Sequence, residues 1–425
     1  MAQPLESFDP ELSFALGAEG KRQVETLELA ASENIVSPRV REAMASALVN
    51  KYAPGLPGNR YHGGCDFVDI AERLAMERAT SLFGAESASV QPYSWVQANM
   101  AAYFAILRPG DPILCMDPSL QGQGQMAHGG PLHFSGTLYR THFYGVHRAT
   151  HCIDYDQVRD LALKYRPKLI VAGAGAHPRL LDYARFRSIA DEGGATLLAD
   201  MDPMAGIVAA GLAPSPVPHA HVVTATTHKT LRGPWGGLIL CSRDLARKIN
   251  LNISPGIQGA PLCQIVAAKA AALKEASTPG FKIYAAQVLD NARALAAAFL
   301  DRGYSLVSGG TDTHLIQVDL SAKDLPNNDL SGEHAERLLE LAGIMVNKTR
   351  IPFDPRAPLA VSGLCMGTQA LTSRGMKPSD METVVDFIHR VLEQGKIGPA
   401  SLALNQEIAA FARTFPAFED TIAPE

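Results

Sequence analysis

The chain has no CxxC pair, no apolar run near the roughly 20 residues that span a bilayer, and little excess of charge. Its six cysteines (Cys65, Cys115, Cys152, Cys241, Cys263, Cys365) are scattered without metal-ligand spacing. That argues against a zinc module or any other metal site and fits small core thiols in a reducing compartment, so a cytoplasmic location is expected. A net charge of −5 over 425 residues gives no electrostatic reason to expect nucleic acid or a membrane as partner. The first residues lack a basic stretch followed by an apolar one, so no secretion signal is expected. Low-complexity tracts and internal repeats are missing too. What is present is 47% hydrophobic residues, enough for a large core and more than one domain.

The first thirty residues are polar and mixed, like an arm or a short helix. From Val68 to Phe83 apolar residues recur at helical spacing. Short apolar runs follow at Ile113–Met116, Leu169–Gly173, Thr196–Met201, His221–Thr226 and Gly237–Cys241. Bounded by Gly, Pro or Asp and alternating with helical stretches, they predict strands buried on both faces of a mainly parallel sheet. Alanine-rich sequence over Ala267–Leu300 predicts consecutive helices interrupted by STPG at Ser277–Gly280. Strands are expected at Tyr304–Val307 and His314–Val318, and helices near Gly332–Leu341 and Ser379–Gln394. The expected organisation is an arm and a large α/β domain over residues 1–278, then a small C-terminal α+β domain over 279–425.

The strongest local signal is TATTHKTLRGPWGG, Thr224–Gly237. A lysine just beyond a buried strand, flanked by hydroxyls and a histidine and followed by glycines, is placed to form an imine with an aldehyde cofactor. Asp200 ends the strand TLLAD. An aspartate there can keep a pyridinium nitrogen protonated, so that a pyridoxal phosphate (PLP) ring can accept electrons from a breaking bond. Open α/β sheets bind ligands at such strand ends.

Ordered blocks then carry a resemblance: LELAASEN (Leu27–Asn34), NKYAPGLPGNRYHGG (Asn50–Gly64), SLFGAE (Ser81–Glu86), FSGTLY (Phe134–Tyr139), THKTLRGP and SGGTDTHL (Ser308–Leu315). Together they resemble the serine hydroxymethyltransferase family from about Leu27 to Arg374. The resemblance implies an α/β fold of the aspartate-aminotransferase type (PLP fold type I), acting as a homodimer or dimer of dimers. It implies that Lys229 holds PLP and Asp200 its ring nitrogen, with Thr226 and His228 beside the lysine. Ser94 and Trp95 fall in the phosphate segment, and Gly256 and Gly259 in the loop that reaches a partner's phosphate. Tyr52 is implied to cross the dimer. Ser32, Tyr61 and His62 are implied to lie near the substrate.

The same resemblance exposes departures. An acidic residue used in folate-dependent one-carbon transfer is Pro54 here, and the second tyrosine of an RYY motif is His62. Trp95 and Val96 replace a glycine and a hydroxyl donor. A ring-stacking histidine aligns with Gln125, for which His128 is a substitute if the loop folds differently. The motif DMAH reads Asp200, Met201, Asp202, Pro203, and a serine is Gly175. Trp235 and Cys365 replace arginines, the second of which forks onto the substrate carboxylate. Thr349 stands at a pterin contact. Arg350 is a new charge that could anchor an anionic substrate.

These readings lead to a PLP-dependent aldol-type transferase or lyase acting at Cα–Cβ of a small β-hydroxy amino acid, in the manner of a folate-independent transaldolase. The expected partners are an amino-acid or amine substrate and an aldehyde co-substrate. His228, His128, Tyr52 or His62 would move the proton at the β-hydroxyl. The alternatives are an ordinary glycine/serine hydroxymethyltransferase using tetrahydrofolate, and a silent paralogue acting as a binding partner.

Overall fold

The computed structural model describes residues 3–120, 126–173, 175–323, 330–354, 356, 360–396 and 399–419. Its centre is a seven-stranded sheet. In chain order the strands are β1 (Ser87–Ser89), β2 (Pro112–Met116), β3 (Arg140–Tyr144), β4 (Leu169–Ala172), β5 (Thr196–Asp200), β6 (Val222–Thr226) and β7 (Gly237–Cys241). In space the order is β1-β7-β6-β5-β4-β2-β3, parallel except for β7, which runs against both neighbours.

The apolar runs are continuous because successive residues enter opposite layers. Leu114, Ile170, Leu197, Val223 and Leu240 join one core cluster, whereas Ile113, Cys115, Leu169, Leu198, Val222 and Ile239 join the other. Both faces are thus dry, as a helix-covered parallel sheet requires. Helix α1 (Pro10–Glu25) buries no residue, in keeping with an arm. Helix α2 (Asp66–Phe83) buries Val68, Ala75, Ala79 and Phe83 along one stripe. Helix α3 (Trp95–Ile106) starts directly over the strand ends, capped by the Ser94 hydroxyl, which accepts from Gln97 N at 3.3 Å.

Helices α4 (Cys263–Ala276) and α5 (Pro279–Asp301) are separated at Ser277–Thr278, as STPG predicts. Phe281, Tyr284 and Val288 of α5 pack into the large core, but Leu295 and Phe299 of the same helix belong to a second core. That second core surrounds a smaller antiparallel sheet. Its strands are β8 (Ser305–Leu306), β9 (Leu315–Asp319), β10 (Asn347–Thr349) and β11 (Gly363–Gly367), in the order β8-β9-β11-β10. Helices α6 (Gly332–Ala342) and α7 (Pro378–Gln394) cover it, and α8 (Pro399–Ala412) follows. Leu27 and Leu29 also sit in this core, and Leu27–Glu28 pairs parallel with Ile344–Met345. A cut at residue 278/279 therefore falls at the cap of a helix that serves both cores, and the N-terminal segment packs with the C-terminal one.

Among the described residues no helix is long and apolar enough to cross a membrane.

Candidate active site

Lys229 sits in the loop after β6, and this loop is tied shut. Thr227 N donates to Gly236 O (3.0 Å), Gly233 N to Thr227 O (2.7 Å), and the Thr227 hydroxyl to Pro234 O (2.6 Å). Thr230 Oγ1 bridges to the neighbouring chain turn, donating to Pro203 O and accepting from Gly206 N. A Cβ on Gly206 would stand 2.1 Å from Thr230 O, so only glycine lets the two turns meet this closely. From the other side Asn34 Nδ2 donates to Lys229 O at 2.8 Å and to Tyr284 Oη at 2.8 Å. The lysine is thus held on a rigid frame before any ligand arrives.

Its Nζ donates to Asp202 Oδ2 at 2.5 Å, with the Lys229 side chain only 11% exposed. The other Asp202 oxygen accepts from the Thr226 hydroxyl. Asp202 is a residue to which the sequence reading assigns no role. The signal that finds it is an acid two residues past a strand end, next to the strand that delivers the lysine. The β5/β6 register, Asp200 opposite Thr224, brings them together.

Asp200 itself is buried and faces aromatic rings. Its Oδ2 accepts from Trp95 Nε1 at 2.5 Å and from His128 Nε2 at 2.8 Å, while Oδ1 accepts from Asp202 N at 3.1 Å. His128 Nδ1 is 2.9 Å from the hydroxyl of Tyr103, which burial keeps protonated. With Nε2–H on the carboxylate, Nδ1 accepts from Tyr103, and both ring nitrogens are used. His128 thus bridges Asp200 and Tyr103. His228 stacks on Trp235 at 4.0 Å. Burial lowers its pKa to about 4, and its buried Nδ1 has no hydrogen-bond partner among the described residues.

A cavity of about 290 Å³ opens onto Lys229, lined also by Ser32, Met126, Gly175, Ala176, Thr349 and Cys365 among others. Cys365 sits mid-strand in β11 and packs with Ala31, Ala176 and Leu315. Its thiol is pushed up to about 12 by burial, so this wall is apolar and neutral. Arg350 is not among the lining residues, and the neighbouring Lys348 Nζ is paired with Glu336 at 2.9 Å.

The family model described as serine hydroxymethyltransferase matches residues 5–388. The chain belongs to the serine hydroxymethyltransferase family. It is accordingly an enzyme of the PLP-dependent transferase kind, with PLP fold type I. The residues present fit that cofactor. Lys229 would carry the aldehyde carbon. The free amides at the start of α3, with Ser94, would take the phosphate, and Asp200 the ring nitrogen. Bound there, PLP supplies an electron-deficient ring that takes up the electron pair of a bond broken at the substrate's Cα. The Trp95 indole already donates to Asp200 Oδ2 at 2.5 Å, so a ring nitrogen would share that carboxylate with it.

The remaining expected site residues of this serine hydroxymethyltransferase-family chain sit on other segments. The segment Asn50–Gly64 hangs on Arg60, which donates to Asp69 Oδ1 at 2.9 Å and Glu72 Oε2 at 2.5 Å, and to Ala53 O and Gly55 O. Gly55 has φ +97°, and a Cβ there would meet Asn59 O at 2.4 Å. The hairpin it closes presents Tyr52, Tyr61 and His62 outward, 59% and 74% exposed for the tyrosines. The ring centroids of Tyr52 and His62 are 5.6 Å apart, and a Cβ on Gly259 would be 3.5 Å from Tyr52 Oη. Gly256 lies in the helical turn Asn252–Ile257, just before Gly259. Among the described residues none of these shares a hydrogen bond or ring contact with Lys229, Asp200 or Asp202. Gln125 lies outside the described residues.

Proposed function

We propose that this enzyme transfers or releases the Cβ fragment of a small β-hydroxy amino acid without folate. The observation that carries this reading is Pro54. The position of the family's one-carbon acid is a buried proline whose carbonyl accepts from Tyr61 N at 3.1 Å, so it can neither move a proton nor hold an anion. The neutral wall of Cys365, Ala31 and Ala176 beside the lysine supports a changed substrate pocket.

In this reading Lys229 binds the cofactor and receives it back after each turnover, and Asp200 keeps the ring nitrogen protonated through its hydrogen bond. Ser32 and Thr349 line the space where the substrate's polar groups would lie. Closing the cavity excludes water from the bond being broken. The exposed Tyr52, Tyr61 and His62 support a second part of the proposal: they complete the site of another copy in a homodimer.

The test is to supply purified holoenzyme with β-hydroxy amino acids and an acceptor aldehyde, with and without tetrahydrofolate. Exchange of the aldehyde fragment at the same rate in both arms supports the proposal. Serine–glycine interconversion only with folate would assign the ordinary family reaction instead.

A further inference from the structure

Around the lysine amine the described side chains differ sharply in what they can do with a proton. Asp200 is committed to Trp95 and His128. His228 and His314 are held neutral near pH 7 by burial, at about 4 and about 3. The Cys365 thiol is neutral for the same reason. Asp202 alone touches the amine, at 2.5 Å, and is itself 5% exposed and fixed by the Thr226 hydroxyl.

We infer that Asp202 is the proton partner of Lys229, taking a proton from the ammonium and returning it when the carbon–nitrogen bond to the cofactor forms. The inference rests on Lys229 being the cofactor lysine. An ammonium cannot attack a carbonyl, because its lone pair is bound in the N–H bond. Asp202 removes one proton, and the neutral amine adds to the aldehyde carbon. One N–H proton passes to the former carbonyl oxygen. Asp202 returns the first proton to that hydroxyl, which leaves as water as the C=N bond forms. The products are a protonated imine, water and an ionised Asp202; no oxidant or reductant is needed. The pair works only while it holds one proton, so the step has its own pH signature.

The decisive experiment strips the full-length protein of cofactor, adds PLP over pH 6–8, quenches with borohydride and measures reductive trapping at residue 229 by mass spectrometry. Wild type is expected to trap at a rate nearly flat over this range, because deprotonation is internal. Asp202→Asn must lose the proton to solvent, so its rate should rise about tenfold per pH unit and fall at least tenfold below wild type at pH 6. Asp202→Glu should restore a flat profile, which separates proton transfer from a merely structural ion pair. If D202N fails to fold, Thr226→Val, which frees the other Asp202 oxygen, should perturb the wild-type profile without abolishing trapping. Parallel pH profiles in wild type and D202N, or a flat T226V profile at the wild-type rate where D202N does not fold, would overturn the role of Asp202 alone. Absence of trapping at residue 229 in wild type would overturn it together with the assignment of the lysine.

Discussion

The indole nitrogen of Trp95 and the imidazole of His128 donate to one and the same oxygen of Asp200, at 2.5 and 2.8 Å. In the proposed reading a cofactor ring nitrogen takes that carboxylate. Trp95 is the first residue of α3, so in that reading one side chain stands at both the phosphate end and the ring-nitrogen end of the cofactor. Loading would then set the ring's N–H against the indole N–H for one acid that His128 also holds.

Trp95→Phe removes the competing donor and keeps an aromatic ring. A hydrogen bond to an ionised group contributes about 1.5–3 kcal/mol, part of which returns when the cofactor takes its place. The expected result is roughly tenfold tighter PLP binding in absorbance titrations. Because the chain has two tryptophans, the same titration in Trp235→Phe should show the Trp95 emission change on loading. Unchanged affinity in W95F would remove the competition from this picture.

Acid should destabilise the protein earlier than its carboxylates require. Burial holds His133 and His314 down to about 3, and His177 and His228 to about 4, against 6.5 in the unfolded chain. Between these values the unfolded state binds more protons, so stability is complete above pH 6.5 and drains away as pH falls toward 3–4. His314 is fully buried. His314→Leu should match wild type near pH 7 and gain on it at pH 5 in urea unfolding. Parallel curves would show that His314 is not part of this acid sensitivity.

Arg374 is 1% exposed and makes no ion pair with a carboxylate among the described residues. It donates instead to Thr26 O (2.7 Å), Val24 O (2.9 Å), Gln23 O, Ala412 O and Phe415 O. It thereby satisfies the carbonyl ends of α1 and α8, which otherwise lack partners. Arg374→Met leaves these groups unpaired and should cost about 3 kcal/mol. Limited proteolysis should then cut first within residues 3–26. A cut pattern like that of wild type would show that the arm is held by other contacts.

If Tyr52 and its neighbours complete another copy's site, two inactive variants should rescue one another. Lys229→Ala and Tyr52→Ala, unfolded together and refolded, should recover about a quarter of wild-type activity, since half the dimers are mixed and each has one intact site. No recovery from a mixture shown to contain mixed dimers would place Tyr52 within its own chain's site.

Strands β2, β4, β5, β6 and β7 and the lysine loop are legible in the sequence because burial on both faces leaves unbroken apolar runs, two of which end at Asp200 and Thr226. Neighbouring positions of Asp200 and Lys229 are legible for the same reason, since each ends a buried strand. The partners chosen by side chains are not. Whether Trp95 reaches Asp200 across 105 positions, or Asp202 reaches Lys229 across 27, depends on strand order and on rotamers that no local pattern encodes. Lys269 shows the same limit. Within an alanine-rich helix it reads as a surface charge, yet it is buried on the carbonyls of Val90, Pro92 and Gly237, with its pKa lowered to about 7. The short strands β1 and β10 are missed because three residues carry too little periodicity, whereas β8 falls inside the strand expected at Tyr304–Val307.

The most direct measurement is the visible absorbance of purified protein with added PLP, for wild type and Lys229→Ala, before and after each of a set of β-hydroxy amino acids. Wild type should show a band that the variant lacks, and an amino acid should shift that band without folate being present. Identical spectra for the two proteins would contradict the account at its root, because the lysine would then have no bond to the cofactor.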